Sequence, residues 1–253
     1  MKLPPYIVGN WKMNGLRAML AEARTIDRAA ARWPDVDVAL APPFTLVHAM
    51  AEAMQHITVG GQDCHDKPSG AYTGDVSAPM LADAGASFVI VGHSERRIQH
   101  RESVQVVRAK VEAALMAELS VLLCVGETEA QRDAGKAVMV VADQLSGSMP
   151  LGRDVTKRLS IGYEPVWAIG TGRVPSMDDI ARMHRAIREV LVETYGPDGA
   201  QVRILYGGSV TAANATDILA VEQVGGALVG GASLVAENFA AIINAAAMVH
   251  QGA

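Results

Sequence analysis

Val202-Arg203-Ile204-Leu205-Tyr206-Gly207-Gly208-Ser209, followed further on by Ala227-Leu228-Val229-Gly230-Gly231, sets the pattern of the whole chain. In each stretch a short apolar run stops at a turn of glycine and small polar residues. Working outward from this pair, the same arrangement recurs at Tyr6–Asn10, Val36–Ala41, Ile57–Gln62, Phe88–His93, Val121–Gly126 and Leu159–Glu164, which with Val202–Tyr206 and Ala227–Gly230 makes eight runs. Several are apolar on both alternating faces, as strands buried on both sides require. Most are followed by an Ala-rich segment with apolar residues at three- and four-residue spacing, notably Met19–Trp33, Val104–Leu119, Met177–Tyr195 and Leu234–Val249. Strand followed by helix, eight times over, predicts an α/β protein whose parallel sheet closes into a (β/α)8 barrel.

No linker, charge block or low-complexity tract divides the chain, so residues 1–253 are expected to form one barrel domain. The competing architecture is an open, doubly wound sheet. That fold would carry a glycine-rich dinucleotide fingerprint after its first strand, and Gly9-Asn10-Trp11-Lys12 is not one.

Composition narrows the function classes. Half the residues are apolar but only 4% are aromatic, so the core must be filled by Ala, Val, Ile, Leu and Met, and base stacking is disfavoured. A net charge of -5 with no Lys/Arg cluster argues against nucleic acid as a partner. Cys64 and Cys124 suit neither a disulfide framework nor a zinc knuckle, which fits a reducing compartment. Met1 to Pro5 lacks an export signal, and the apolar stretch Phe239–Val249 is too short to span a bilayer. A cytoplasmic location without membrane attachment is expected. Ser176 with Asp179 three residues on reads as a helix cap with an acidic first turn.

In a parallel barrel every strand points the same way, so whatever follows the strands gathers at one mouth. Asn10 and Lys12 follow the first run, and His93, Ser94 and Glu95 the fourth. Glu164 ends the sixth, Gly207-Gly208-Ser209 follow the seventh, and Gly230-Gly231 the eighth. Taken singly these residues are unremarkable: a lone histidine is more often a satisfied core residue, and a lysine just past a strand is ordinarily solvated. Five coincidences of position are a different matter.

The words around those positions carry a resemblance. Gly9-Asn10-Trp11-Lys12-Met13-Asn14, Val91-Gly92-His93-Ser94-Glu95-Arg96-Arg97, Tyr163-Glu164-Pro165-Val166-Trp167-Ala168-Ile169-Gly170-Thr171-Gly172, Tyr206-Gly207-Gly208-Ser209 and Gly230-Gly231-Ala232-Ser233-Leu234 together resemble the triosephosphate isomerase family. The matches run in order over essentially the whole chain. The resemblance implies the TIM-barrel fold and interconversion of dihydroxyacetone phosphate and D-glyceraldehyde 3-phosphate through an enediolate, a step of glycolysis and gluconeogenesis. It implies no cofactor and no metal.

By the same resemblance Glu164 is the base, and His93 is the electrophile for the developing oxyanion. The family is itself the standard example of a histidine kept neutral by a helix N-terminus. Lys12 supplies positive charge to a dianionic substrate, and Asn10 positions it. Glu95 stands beside Lys12, where a plain salt bridge and a direct role are equally good readings. Phosphate is expected on Gly230, Gly231 and Ser209, where glycine permits close backbone approach, and on the Gly170 amide. Pro165–Ser176 reads as a lid, of which the family is again a standard example.

The long stretch Asp63–Ala78 is implied to project its loop Gly70–Asp75 into a twin subunit. There Thr73 would support the partner's Asn10 and Lys12 region, making a homodimer. Three positions depart from the commonest family pattern: Arg173, the Pro175-Ser176 ending of the lid, and Asp63 where asparagine is frequent. Two other readings stay open on sequence alone. Another phosphate-handling barrel would share the glycine grip without needing Lys12, His93 and Glu164 together, and a non-catalytic barrel would bind sugar phosphate without turnover.

Overall fold

The computed structural model describes residues 3–168 and 175–252, apart from the side chain of Arg153. Among these, eight strands form a closed parallel barrel: β1 Tyr6–Asn10, β2 Asp37–Ala41, β3 Thr58–Gly61, β4 Phe88–Val91, β5 Ser120–Val125, β6 Leu159–Tyr163, β7 Arg203–Tyr206 and β8 Gly226–Val229. Closure comes from β8 pairing with β1, Tyr6 to Gly226 through Gly9 to Val229.

The doubly apolar strands are explained by two separate layers of packing. Val8, Ala39, Phe88, Ile90, Leu122, Leu205 and Leu228 fill the barrel interior. Their neighbours Ile7, Val38, Leu40, Val89, Leu123 and Ile161 point outward beneath the helices. Volume is matched across the interior: a Cβ at Gly60 would fall 2.4 Å from the ring of Phe88, so the large side chain needs the glycine opposite it.

The expected strands are all present, several of them shorter by a residue or two at the C-terminal end. β4 stops at Val91 and β6 at Tyr163, so His93 and Glu164 lie just beyond the last paired residues, where the backbone is released to turn. Helices occupy Leu20–Ala30, Val104–Met116, Met177–Tyr195 and Ala236–Gln251, close to the expected spans. The last begins two residues late because Gly231–Leu234 forms a separate 3-10 turn. The Ser176 cap is present in full: its hydroxyl accepts from the Asp179 amide at 3.1 Å, and the Asp179 carboxylate accepts from the Ser176 amide at 3.3 Å. Among the described residues no helix is long and apolar enough to cross a membrane.

Candidate active site

At the C-terminal mouth of the barrel a cavity of about 270 Å³ is walled by Asn10, Lys12, His93, Glu164, the turn Gly207–Thr211 and the turn Gly230–Ala232. It sits at the small end of ligand pockets, sized for a metabolite of few atoms. A larger basin of about 1150 Å³ opens at the opposite end, lined by first residues of strands such as Tyr6, Thr58, Ser120 and Arg203. Size alone does not pick out the site. The convergence of a carboxylate, an imidazole and an ammonium group does, and it occurs in the smaller cavity.

Glu164 is 1% exposed and His93 6% exposed, and His93 Nε2 stands 2.9 Å from Glu164 Oε1. The carboxylate also accepts from the Ser94 amide at 2.9 Å and from the Ser94 hydroxyl at 3.2 Å. Both of its oxygens are therefore occupied. The sequence placed Ser94 at the mouth of the barrel without a role, and here it seats the Glu164 carboxylate. Burial would raise the Glu164 pKa, but the His93 imidazole, the Ser94 amide and Lys12 outweigh it and hold the group below the ordinary carboxylate value.

His93 caps the short helix Ser94–Gln99, its Nδ1 accepting from the Glu95 amide at 3.3 Å. A nitrogen that accepts a hydrogen bond carries no proton, so the proton of the neutral ring lies on Nε2, directed at Glu164. Burial lowers the His93 pKa, and the adjacent carboxylate raises it by more. Burial and the Lys12 charge favour the neutral ring, whereas Glu164 and Glu95 favour the charged one.

Lys12 adopts φ +53°, a left-handed conformation uncommon for a side-chain-bearing residue. Its amide donates to Asn10 Oδ1 at 3.0 Å and its carbonyl accepts from Gln62 Nε2 at 2.8 Å, so the strained residue is pinned on both sides. The ammonium group bonds Glu95 at 2.7 Å. Asn10 is thus placed to position Lys12, and Gln62 is a second anchor that no motif announced.

The glycine turns make room of two kinds. A Cβ at Gly207 would lie 3.1 Å from Glu164 Cγ, so this glycine leaves space for the carboxylate to move. A Cβ at Gly231, a residue that lines the cavity, would meet nothing within 4 Å. Ser209 and Gly230 stand on the same wall.

The described ends of the expected lid are clasped together. Trp167 Nε1 donates to Glu127 at 2.7 Å, and the Tyr163 hydroxyl donates to the same oxygen at 3.2 Å. Arg132 stacks 4.2 Å from the Trp167 ring centre and pairs with Asp179 at 2.7 Å, joining the first residues of the lid to the helix after it. Gly170 and Arg173 lie outside the described residues. Glu127 and Arg132 are far from the lid in sequence, and only the fold brings them there.

The unusual Asp63 has a physical reason. Lys110, 7% exposed, is held by both Asp63 oxygens at 2.8 and 2.7 Å and by Glu102 at 2.6 Å, while Arg96 bonds Asp63 at 2.8 Å. Two cations, of which Lys110 is buried and Arg96 partly exposed, balance two carboxylates. An asparagine would leave the pair of cations one charge short.

A family model described as "Triosephosphate isomerase" matches residues 5–246. The triosephosphate isomerase of Afipia carboxidovorans is 53% identical over 247 residues, covering 96% of this chain and 98% of that protein. That of Caulobacter vibrioides is 54% identical over 244 residues, covering 95% and 96% respectively. A crystal structure of triosephosphate isomerase from Bartonella henselae superposes with a TM-score of 0.90 at 43% identity, covering 96% of this chain and 98% of that one.

Proposed function

The chain belongs to the triosephosphate isomerase family, and on that premise we propose that it interconverts dihydroxyacetone phosphate and D-glyceraldehyde 3-phosphate by proton transfer, with Glu164 as the base. The observation that carries the residue assignment is the 2.9 Å approach of His93 Nε2 to Glu164 on the wall that also holds Lys12 and the glycine turns.

The substrate's phosphate is held by backbone amides of the turns at Ser209 and at Gly230-Gly231, where glycine allows close approach, and by the Gly170 amide of the lid. Lys12 offers its ammonium group to the substrate's negative charge. The carbonyl and hydroxyl oxygens then face His93 Nε2, replacing Glu164 as its hydrogen-bond acceptor. Released from the imidazole and from Ser94, the carboxylate turns into the space that Gly207 leaves. There it removes a proton from one carbon and returns it to the next, while Nε2–H stabilises the enediolate oxygens. Leaving the groups that depress its pKa, in a site closed to water, makes the carboxylate a stronger base when it is needed. Glu95 holds Lys12 in this scheme and touches no substrate.

The chain works as one domain, in the cytoplasm, as a homodimer. Support for the dimer comes from the loop Gly70–Asp75, which stands out from the barrel with Tyr72 43% exposed, and from Met13 and Leu16 beside the site, 95% and 80% exposed. Large apolar side chains left bare next to a catalytic lysine are what a subunit contact covers.

The test is a coupled assay on purified protein with glyceraldehyde 3-phosphate and no cofactor for the isomerase. The wild type turns over, and Glu164→Gln loses about 100-fold or more of kcat. A loss below about tenfold would contradict the base assignment.

A further inference from the structure

We propose that Arg97 is a positioning residue that sets the spacing between His93 and Glu164. The proposal rests on the reading of that pair as electrophile and base. Arg97 lies in the helix Ser94–Gln99, with its guanidinium turned back beneath the site. Its Nε donates to the Gly92 carbonyl at 2.8 Å, and a terminal nitrogen donates to the Cys124 carbonyl at 3.0 Å.

Those two carbonyls occupy a particular place in the barrel. The ladder between β4 and β5 ends with Val91 opposite Leu123. Gly92 and Cys124 are the next residues on the two strands, and Arg97 bridges them where the ladder stops. Gly92 has φ +68°, and a Cβ on it would lie 2.8 Å from the Arg97 terminal nitrogen, so the turn is shaped around the guanidinium.

Each side of the bridge leads to one member of the pair. The Gly92 carbonyl belongs to the peptide that carries His93. One residue beyond Cys124, the Val125 carbonyl accepts the Glu164 amide at 2.8 Å, which seats the base on the end of β5. The guanidinium fork is thus the direct link between the strand end that aims the imidazole and the strand end on which the carboxylate rests.

A purely structural role does not account for the choice of residue. Among the described residues Arg97 forms no ion pair, whereas its neighbour Arg96 has both Asp63 and Glu102. Partly burying a cation against two carbonyl oxygens costs free energy that a directly bonded carboxylate would offset more fully than the nearby Glu164 and Glu102 charges do. What the fork supplies is two donors at a fixed separation, which lysine cannot reproduce.

Arg97 bonds Gly92 and Cys124 at the ends of β4 and β5, whereas the phosphate grip comes from the turns after β7 and β8 and from the lid, so the expected signature is a split between kcat and KM. Arg97→Ala lowers kcat by about 30- to 100-fold, the scale of a displacement near 1 Å, while KM and inhibition by inorganic phosphate change less than about threefold. Added guanidinium ion recovers part of kcat, and Arg97→Lys falls between the two. Should Arg97→Ala fail to fold, Arg97→Lys carries the same kcat–KM test by itself. The proposal is overturned if the folded variants keep kcat within about twofold, or if kcat and KM deteriorate together without rescue. Failure of the underlying reading shows separately, as an active Glu164→Gln enzyme.

Discussion

His184 gives a stability prediction whose size follows from its surroundings. It lies on the helix Met177–Tyr195 with no exposed surface, Nδ1 3.3 Å from the Gln223 carbonyl and its ring edge-on to Tyr163 at 5.8 Å. Nε2 finds no hydrogen-bond partner among the described residues. Burial, reinforced by the charge of Arg188, outweighs the bond to Gln223 and pushes the pKa from the ordinary 6.5 down to about 4.

The folded protein therefore refuses a proton that the unfolded chain accepts. The native state is unpenalised above the unfolded value and loses stability as pH falls from about 6.5 towards 4. At 1.36 kcal/mol per pH unit the full penalty is about 3 kcal/mol, of which about 2 kcal/mol is felt at about pH 5. The assay is urea unfolding of wild type and His184→Asn at about pH 7.5 and about pH 5, at one protein concentration because assembly also contributes. Asparagine can still donate to Gln223 but cannot take up a proton.

His93 has the opposite sign, its pKa being raised in the fold, so its stabilisation is full below the unfolded value and fades as pH rises. It is common to both proteins and cancels in the comparison. The wild type should lose about 2 kcal/mol more than the variant on acidification. Equal losses, within about 0.5 kcal/mol, would refute a neutral, buried His184.

Two further outcomes are expected. Deleting Tyr72 to Gly74 yields a protein of single-chain mass in sedimentation with reduced isomerase activity; a fully active dimer would end the interdigitation idea. Asp63→Asn destabilises by about 1.5–3 kcal/mol in chemical unfolding, the value of hydrogen bonds to a charged group, and adding Lys110→Met recovers most of it; a change below about 0.5 kcal/mol would mean that Glu102 alone satisfies both cations.

The barrel and its chemical centre were legible because both depend on strand ends. Period-two apolar runs stopping at polar or glycine residues locate each strand's C-terminus, and parallel closure brings those termini together. Asn10, Lys12, His93, Glu164, Ser209, Gly230 and Gly231 all come to one cavity in this way. The long helix Met177–Tyr195 was readable to the residue because a capping box starts it and Gly196 stops it. Phe44–Ala53 was not singled out, since its apolar residues spread well beyond the buried face of Leu46, Val47 and Met50.

The supporting shell was invisible for a different reason. Glu127 to Trp167, Gln62 to Lys12, Lys110 to Asp63 and Arg97 to Cys124 join residues from 27 to 50 positions apart. No motif or spacing marks any of these pairs. Only barrel closure, which gathers the loops after the strands and sets the helix residues Lys110 and Arg97 beside them, makes these residues meet.

The berth of Glu164 has a consequence for which molecules the enzyme answers. At rest its oxygens are moored to Ser94 and His93, and the mooring at Nε2 yields only to a rival acceptor. In the proposed mechanism a bare phosphate ion settling by Gly231 would bring no atom to the imidazole and would leave the carboxylate docked. A molecule long enough to span from the glycine turns to His93 would cast it off, so the proposed base would be unfurled by the length of its guest.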